Sequence, residues 1–386
     1  MNKQLAGYPS FDKPWLKYYS DKAKKMPLPE GTMFDFVEKK NQHNLSSIAF
    51  RYYGTNISYG AFIKMIHQAA AAFYSLGIRP GDIVTIMSMQ TPETLASVYA
   101  INSLGATANM VYLSLSEKEL EKTINITSSK ALIVLDVVID KIKSIKAKIN
   151  IPIIVVSVKD SMSFPIKVLY SMRNGKKGSH TFISYRQLLS GDYSIPKQAG
   201  SSYDPAVIVY TSGTTGEPKG VVLSNQNINC VAEQCDKAGK DYHPGESTFF
   251  YLPPFTGYGI AMLHLGLSNG IDFTIHLGID TDVIAGRLTK AKPNRIAGGP
   301  TLADAILNHV TTNMEYLIEF TGGGEAISLE KERRINQFLK DHGSSAKYTT
   351  GYGMTELASV VCMLSVCRLI KIIKKEALVF RYQRLM

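Results

Sequence analysis

The chain has 386 residues, of which 45% are apolar and 19% charged, so it can bury large cores and lacks the composition of a disordered protein. Its formal net charge is +11. Residues 361–386 contain six basic residues and one acidic residue, a net charge of +5, so the other 360 residues have a net charge of only +6. No basic run upstream is interleaved with aromatic residues, which argues against a nucleic-acid partner. No stretch reaches the roughly 18 apolar residues of a membrane span, and residues 1–15 lack a signal-peptide pattern, so we expect a cytoplasmic protein.

Cysteines and histidines add no site of their own. The cysteine spacing matches neither a zinc site nor a secreted disulfide framework, so we interpret all four as free thiols: Cys230, Cys235, Cys362 and Cys367. Three histidines show no metal-ligand or nucleophile pairing, and we interpret them as core or surface residues: His243, His264 and His276.

Short β-branched runs alternate with helical patterns from residue 82 onward, which predicts parallel sheets covered by helices. Thr91 and Pro92 predict the start of one helix, and Ser116 with Glu119 forms a capping-box pattern at the start of another. The predicted strands are residues 82–87, 107–113, 131–135, 151–158, 205–210, 248–252, 271–276, 314–320 and 346–350.

The predicted fold class is α/β, with two doubly wound units side by side. The pattern weakens between residues 159 and 200, where we expect a seam between two subdomains. A doubly wound sheet binds its ligands at the carboxyl ends of its strands, so the motifs that follow strands are the candidates for function.

The strongest signal is a loop rich in glycine and hydroxyl groups, Tyr210-Thr-Ser-Gly-Thr-Thr-Gly-Glu-Pro-Lys-Gly220, directly after a predicted strand. Backbone N–H groups and hydroxyls of such a loop can surround a triphosphate, and Lys219 adds a positive charge. It is not a P-loop, because Gly220 rather than Ser or Thr follows the lysine and the glycine spacing differs. A turn without a ligand is the alternative, but it rarely needs so many donors. We therefore predict a phosphate site formed by Thr211, Ser212, Gly213, Thr214, Thr215, Gly216 and Lys219.

These eleven residues resemble the phosphate-binding signature of the adenylate-forming superfamily, which includes acyl-CoA synthetases, luciferases and the adenylation domains of peptide synthetases. The resemblance implies the large N-terminal domain of such an enzyme, with acyl-CoA synthetases as the most similar branch. It covers residues 34–357, with residues 1–33 as an N-terminal extension and residues 358–386 as a divergent basic tail.

A second motif, Thr350-Gly-Tyr-Gly-Met-Thr-Glu356, also follows a predicted strand. Tyr352 offers a flat ring for stacking, Thr355 a donor for a phosphate oxygen and Glu356 a hard oxygen ligand for Mg²⁺. Alone, such a turn is as often structural as functional. In the family, the aromatic residue lies near adenine, the threonine meets the α-phosphate and the glutamate holds Mg²⁺. The resemblance implies these roles here and places Gly353 beside the nucleotide.

Two weaker motifs resemble the segments that border the family's acid pocket. Thr321-Gly-Gly-Gly-Glu-Ala-Ile-Ser328 resembles the glycine-rich segment near the base, which implies nucleotide contacts at Gly323, Gly324 and Glu325, although a plain loop fits the same pattern. Tyr251-Leu-Pro-Pro-Phe-Thr-Gly-Tyr-Gly259 resembles the acid-pocket motif, but Thr256 stands where many members carry a histidine, which puts that histidine's role in doubt. Members that activate amino acids carry an aspartate here, and residues 252–268 contain none, which favours an acid without an α-amine.

The resemblance implies ATP-dependent activation of a carboxylic acid, fatty or otherwise not an amino acid, to an acyl-adenylate and its transfer to the thiol of CoA. Thr211, Lys219, Thr355 and Glu356 are the implied catalytic residues, with Glu356 on Mg²⁺. After this glutamate the family continues with a ribose-binding aspartate, a hinge and a small C-terminal domain that carries a catalytic lysine. None of these is recognisable in residues 358–386, so we expect a truncated form without the small domain and with reduced or no activity.

Two alternatives stay open at the level of sequence. One is an adenylation module that loads a carrier protein instead of CoA. The other is a nucleotide-binding fragment without catalytic activity.

Overall fold

The computed structural model describes residues 7–18, 21–174, 182–191, 193–194, 200–211, 219–236, 242–360 and 362–363. Its strands are β1 (Ile48–Tyr52), β2 (Thr55–Ser58), β3 (Ile83–Met87), β4 (Thr107–Met110), β5 (Ala131–Leu135), β6 (Ile153–Val156), β7 (Ile183–Ser184), β8 (Pro205–Thr211), β9 (Lys219–Ser224), β10 (Ser247–Phe250), β11 (Asp272–Ile275), β12 (Arg295–Ala297), β13 (Glu319–Gly322), β14 (Tyr348–Tyr352) and β15 (Cys362–Met363).

The helices alternate with these strands over most of the described ranges. They are α1 (Pro9–Asp12), α2 (Asp21–Lys24), α3 (Met33–Asn41), α4 (Tyr59–Ser75), α5 (Pro92–Ser103), α6 (Glu117–Ile126), α7 (Ile139–Ile145), α8 (Phe164–Asn174), α9 (Tyr185–Leu188), α10 (Asn225–Cys235), α11 (Gly257–Leu267), α12 (Thr281–Ala291), α13 (Pro300–His309) and α14 (Leu329–Asp341). A short 3₁₀ turn, Thr355–Leu357, follows β14. None of the helices within these ranges has the length and apolar character needed to cross a membrane.

The strands form two sheets, and the predicted α/β class is confirmed. The eight-stranded sheet has the order β15-β14-β13-β12-β10-β11-β1-β2, and the seven-stranded sheet has the order β7-β6-β5-β3-β4-β8-β9. Both sheets are mixed: the outermost pairs β14–β15, β1–β2 and β8–β9 are antiparallel, and the other neighbours are parallel. The parallel strands put their carboxyl ends at a common edge of each sheet, which is where loops can build a site.

The chain changes sheets after β2 and again after β9, not near residues 159–200. β4 pairs with β8 across that interval, and β7 lies inside it and pairs with β6, so strands on both sides belong to the seven-stranded sheet. The expected seam therefore does not coincide with a boundary between the sheets. The sequence pattern weakens there partly because α8 turns apolar side chains toward solvent, which disrupts the usual helical alternation.

Two helices begin at the capping residues that the sequence predicts. The Thr91 hydroxyl accepts a hydrogen bond from the Thr94 N–H at the start of α5, and Ser116 forms the predicted capping box of α6. One predicted strand begins too early. Residues 314–318 include a turn in which the Leu317 N–H donates to the Met314 carbonyl (2.9 Å), and β13 begins only at Glu319. The patterns also missed β12 and the β1–β2 pair.

One hydrophobic core joins the two sheets. It contains Ile86 of the seven-stranded sheet and Phe273 of the eight-stranded sheet. α5 and α11 are buried on nearly every face, which is typical of helices that lie inside a core. The Tyr99 hydroxyl of α5 lies 3.0 Å from Nδ1 of His264 in α11, so a polar contact links the two helices within this core.

Candidate functional site

An open pocket of about 170 Å³ lies at the carboxyl ends of β13 and β14. The two strands are parallel and pair Gly322 with Thr350, so the loops that follow them leave from the same edge. The pocket is lined by residues 321–324 and 351–355, by Tyr258 in the first turn of α11, and by Ser359 and Val360. The fold therefore brings together three of the four segments that the sequence singles out.

Two positions of the 321–324 segment require glycine for different structural reasons. A Cβ on Gly322 would lie 1.9 Å from the Tyr348 hydroxyl oxygen, so the close approach at this position is to a ring of the protein itself. Gly324 has φ of +88°, a conformation that side chains rarely adopt. Gly323 and Gly324 line the pocket, whereas Glu325 is exposed and is not among the lining residues described, and the nucleotide contacts of all three stay predictions.

Two phenol hydroxyls near the pocket lack partners. Within the described ranges, neither the Tyr258 nor the Tyr348 hydroxyl oxygen has a hydrogen-bond partner, and both atoms are buried. Burial, together with the nearby Tyr251, raises the pKa of Tyr258, so its phenol stays neutral and keeps a proton to donate. A buried polar atom without a partner is costly, and a ligand that supplied an acceptor would remove that cost.

The second motif presents its side chains at the rim of the pocket. Tyr352 ends β14 with half of its surface exposed, and Glu356 is exposed in the turn that follows. Thr355 lies beside the N-terminus of α11, because a Cβ on Gly257 would be 3.2 Å from the Thr355 hydroxyl oxygen. An exposed aromatic ring, a hydroxyl beside a helix N-terminus and an exposed carboxylate are compatible with a base, a phosphate and a cation.

The stem of the predicted phosphate loop lies close to this turn. β8 and β9 form an antiparallel hairpin in which Thr211 pairs with Lys219. Cα atoms of the Thr355–Leu357 turn lie within 8 Å of both strands, so the hairpin of one sheet meets the carboxyl edge of the other. The predicted contacts of Ser212, Gly213, Thr214, Thr215 and Gly216 fall outside the described residues and stay predictions.

Thr256 caps the helix that enters the pocket. Its hydroxyl accepts from the Gly259 N–H (3.0 Å) and donates to the Pro253 carbonyl (2.8 Å). Both hydrogen bonds are local, so this side chain is engaged in starting α11. The fourth motif thus contributes Tyr258 to the pocket through a helix start that Thr256 stabilises.

A second, apolar cavity of about 50 Å³ lies between α11 and strands β10–β12, and Thr321 lines both cavities. A buried ion cluster lies at the end of this cavity where strands β12 and β13 begin. Arg295 donates to Glu246 (2.6 Å) and to Glu319, and its guanidinium lies 4.4 Å from the centre of the Tyr242 ring. Burial alone would lower the pKa of Arg295, but hydrogen bonding to Glu246 and the charge of Glu319 raise it, so the arginine stays charged.

The structure describes all three of these histidines and the side chains of two of the cysteines. His264 is buried, with burial lowering its pKa to about 3, His276 is buried, and His243 is exposed. Cys230 is half-buried and Cys235 is buried, and neither is in a disulfide. Within the described ranges, no group of three His, Cys, Asp or Glu residues is arranged to hold a metal ion.

Sequence reasoning missed the residues that approach the pocket from elsewhere. Ser359 and Val360 fold back over it, and β15 then pairs with β14. The Gly298 N–H donates to the Thr321 carbonyl (3.0 Å), which ties the loop before α13 to the pocket wall. A signal for that loop was present, since Gly298-Gly-Pro300 places a proline at the first position of a helix.

Comparison with known proteins agrees with this geometry. The family model described as AMP-binding enzyme matches residues 36–377, and the chain belongs to that family. The match runs beyond residue 357, where the motif resemblance ends, and past β15.

The similar proteins include some that are named as CoA ligases and coenzyme A synthetases. The chain is 27% identical over 365 residues to a long-chain-fatty-acid–CoA ligase of Bacillus subtilis (strain 168), covering 90% of this chain and 64% of the relative. It is 26% identical over 309 residues to an acetyl-coenzyme A synthetase of Shewanella sediminis (strain HAW-EB3), covering 73% of this chain and 45% of the relative. It thus spans less than two thirds of either relative.

A solved structure confirms the fold. The crystal structure of a long-chain-fatty-acid–CoA ligase from Archaeoglobus fulgidus superposes with a TM-score of 0.76 at 18% identity, covering 90% of this chain and 68% of that one. At this identity the likeness concerns the fold, and it agrees with the α/β architecture of two mixed sheets.

Proposed function

We propose that this chain activates a carboxylic acid with ATP, as the first step of an acid–thiol ligase reaction. A carboxylate oxygen attacks the α-phosphorus, the bond to the bridging oxygen breaks, and acyl-adenylate and pyrophosphate result. The observation that carries the proposal is the meeting of three motifs around one pocket beside the Thr211–Lys219 stem. Positioning and charge neutralisation dominate such a reaction, and this arrangement supplies groups for both.

Each group at the pocket has a role in this proposal. The exposed Tyr352 ring and the backbone of Gly323, Gly324 and Gly353 would hold the base, and the Thr355 hydroxyl would donate to the α-phosphate. Lys219 and Thr211, at the two ends of the loop, would contact the outer phosphates together with the hydroxyls between them. Glu356 offers an exposed carboxylate to Mg²⁺, which would neutralise phosphate charge.

The acid that fits best is apolar and has no α-amine. The apolar cavity under α11 adjoins the pocket through Thr321 and would receive the acid's tail. Among the described residues that line the two cavities, the carboxylate is Glu319, which Arg295 and Thr321 already engage. An α-ammonium group would therefore be desolvated without a partner, which is unfavourable. CoA is the proposed acceptor because the similar proteins include CoA ligases and coenzyme A synthetases by name, and a carrier protein is the alternative acceptor.

Pyrophosphate exchange tests the adenylation step directly. The protein is assayed with a panel of fatty and aromatic acids, and at least one should support exchange above the rate without acid. Glu356→Gln and Lys219→Ala should each lower that rate by about 100-fold, because each removes a charge that stabilises the transition state. Glu330→Gln and Lys340→Ala, two exposed positions on α14, are the matched controls and should change nothing.

Nucleotide binding is measured alongside exchange, because a chain that spans 64% of a relative's length could bind without completing the reaction. MgATP should raise the melting temperature by mass action, and Lys219→Ala should reduce that increase. Binding without exchange for any acid would favour a nucleotide-binding fragment over an enzyme. No stabilisation of a folded protein by MgATP would refute the assignment of the pocket.

A further inference from the structure

The outer face of α8 is apolar and exposed. Phe164 and Met172 are 79% and 78% exposed, and Val168 and Leu169, between them in sequence, are 43% and 56% exposed. Phe164, Val168 and Met172 recur at every fourth position and so lie on one face of the helix. The opposite face is the packed one, where Ile166 and Tyr170 contact the core. An exposed helix face normally carries polar residues, so this arrangement is inverted.

The segment of sequence that contains α8 is net basic. Residues 159–192 contain six Lys or Arg and two Asp, and the charges of Lys167 and Arg186 act on the Asp160 carboxyl. Two of the described basic residues belong to α8 and its neighbour α9: Lys167 is half-buried and Arg186 is exposed. A third, Lys159, lies just before α8 and places its Nζ 3.5 Å from the Ser171 hydroxyl on that helix. An apolar face with a basic surrounding is the pattern of a helix that lies in the headgroup region of an anionic bilayer.

We propose that α8 docks this protein on an anionic lipid surface, with Phe164, Val168, Leu169 and Met172 inserted among the acyl chains. The basic residues around the helix then face lipid headgroups. The helix lies parallel to the membrane and does not span it, since it has 11 residues. The proposal is independent of the ligase activity, because none of these residues lines the pocket.

A second copy of this chain is the main competing occupant of the face. In a symmetric dimer the same patch meets itself, so the basic residues around α8 would approach the same residues of the partner. Like charges brought together in this way oppose association. An anionic membrane supplies both an apolar interior and the opposite charge, which is why the charge pattern favours lipid.

Vesicle co-sedimentation tests the proposal on the full chain. The wild-type protein should bind vesicles of phosphatidylcholine and phosphatidylserine, mixed at about two to one, more strongly than pure phosphatidylcholine, and should bind less as salt rises. Phe164→Ser with Met172→Ser should lower partitioning into the mixed vesicles by at least about tenfold, since two large apolar groups no longer insert. Ile126→Ser removes a comparably exposed apolar side chain, 72% exposed on α6, and should leave binding unchanged.

Several results would overturn the proposal. Binding that is absent, equal for both vesicle types, or unaffected by the double variant would exclude docking of α8 on anionic lipid. An equal loss with Ile126→Ser would show a nonspecific apolar effect. Gel filtration without lipid distinguishes the competing occupant, because a dimer that the double variant abolishes would assign the face to a second copy. Circular dichroism of each variant checks that it is folded, and exposed positions such as these should tolerate serine.

Discussion

The carboxyl edges of the two sheets differ in what occupies them. After β13 and β14 of the eight-stranded sheet, glycine backbone and Tyr258, whose hydroxyl has no partner among the described residues, line an open pocket. After β5 and β6 of the seven-stranded sheet, Ser157 donates to Asp136 at 2.5 Å, and protein side chains satisfy one another. Topology alone would favour a ligand at either edge. Unpaired polar atoms alone do not distinguish the two edges, because one oxygen of Glu93, after β3, also lacks a partner among the described residues. The open pocket and its glycine backbone are what set the edge of the eight-stranded sheet apart.

The two sheets also differ in how their buried charged side chains are paired. The eight-stranded sheet buries Arg295 between two carboxylates, so each charge has an opposite neighbour. Beside the seven-stranded sheet, Glu93 is buried at the start of α5 with one oxygen bonded to Ser161 (2.5 Å) and the other without a partner among the described residues. The first arrangement should be sensitive to mutation, and the second should be sensitive to pH.

Arg295→Met should produce the largest loss of stability. It leaves Glu246 and Glu319 buried without their counter-charge, and breaking a buried ion pair from one side costs about 3–5 kcal/mol of unfolding free energy. Lys143→Met is the control, because Lys143 also bonds a carboxylate, Asp140 at 2.9 Å, but both of these side chains are exposed to solvent. The control should cost about 1 kcal/mol. Urea unfolding of both variants measures the difference, and equal losses would contradict the role assigned to burial.

Glu93→Gln should stabilise the protein at alkaline pH. Burial raises the pKa of Glu93 to about 7, with the charge of Asp160 adding to it and the Ser161 hydrogen bond opposing it. The folded state therefore holds this proton more tightly than the unfolded state, whose pKa is about 4.5. Stability from this group is complete below pH 4.5 and is lost as pH rises to about 7. At pH 8 the variant should be more stable than wild type by about 3 kcal/mol.

Urea unfolding between pH 4 and pH 8 checks this prediction. The advantage of Glu93→Gln should disappear at the acidic end, because Glu93 is then protonated in both states. Glu330→Gln, an exposed position on α14, should show no such pH dependence. A constant difference between Glu93→Gln and wild type at all pH values would mean that the carboxyl does not titrate in this window.

The features that the sequence predicted correctly depend on nearby residues. Thr91 and Ser116 cap helices through bonds to residues three positions away, so the sequence contains all the information needed. β3 and β5 are buried on both faces and therefore read as continuous apolar runs. The motif at Thr350–Glu356 lies beside the pocket, and its contacts with a nucleotide stay a prediction.

The features that the sequence could not predict depend on distant pairings. β12 has three residues, too few for a periodic pattern, and it is a strand because β10 and β13 flank it. The expected seam near residues 159–200 followed a local weakening of the pattern, whereas sheet membership is decided by β4 pairing with β8. The approach of Ser359 to the pocket likewise results from the return of the chain along β14.

Tyr258→Phe should have the smallest effect on stability and still weaken ligand binding. The variant removes a buried hydroxyl that has no partner in the described structure, so the unfolding free energy should stay the same or rise by up to about 1 kcal/mol. Tyr99→Phe is the control, because its hydroxyl lies 3.0 Å from Nδ1 of His264, and its loss should cost about 1 kcal/mol. If the Tyr258 hydroxyl donates to a bound ligand, the melting-temperature increase with MgATP and an active acid should shrink in Tyr258→Phe and persist in Tyr99→Phe. A destabilised Tyr258→Phe would reveal a partner within the protein, and unchanged ligand stabilisation would remove this hydroxyl from the site.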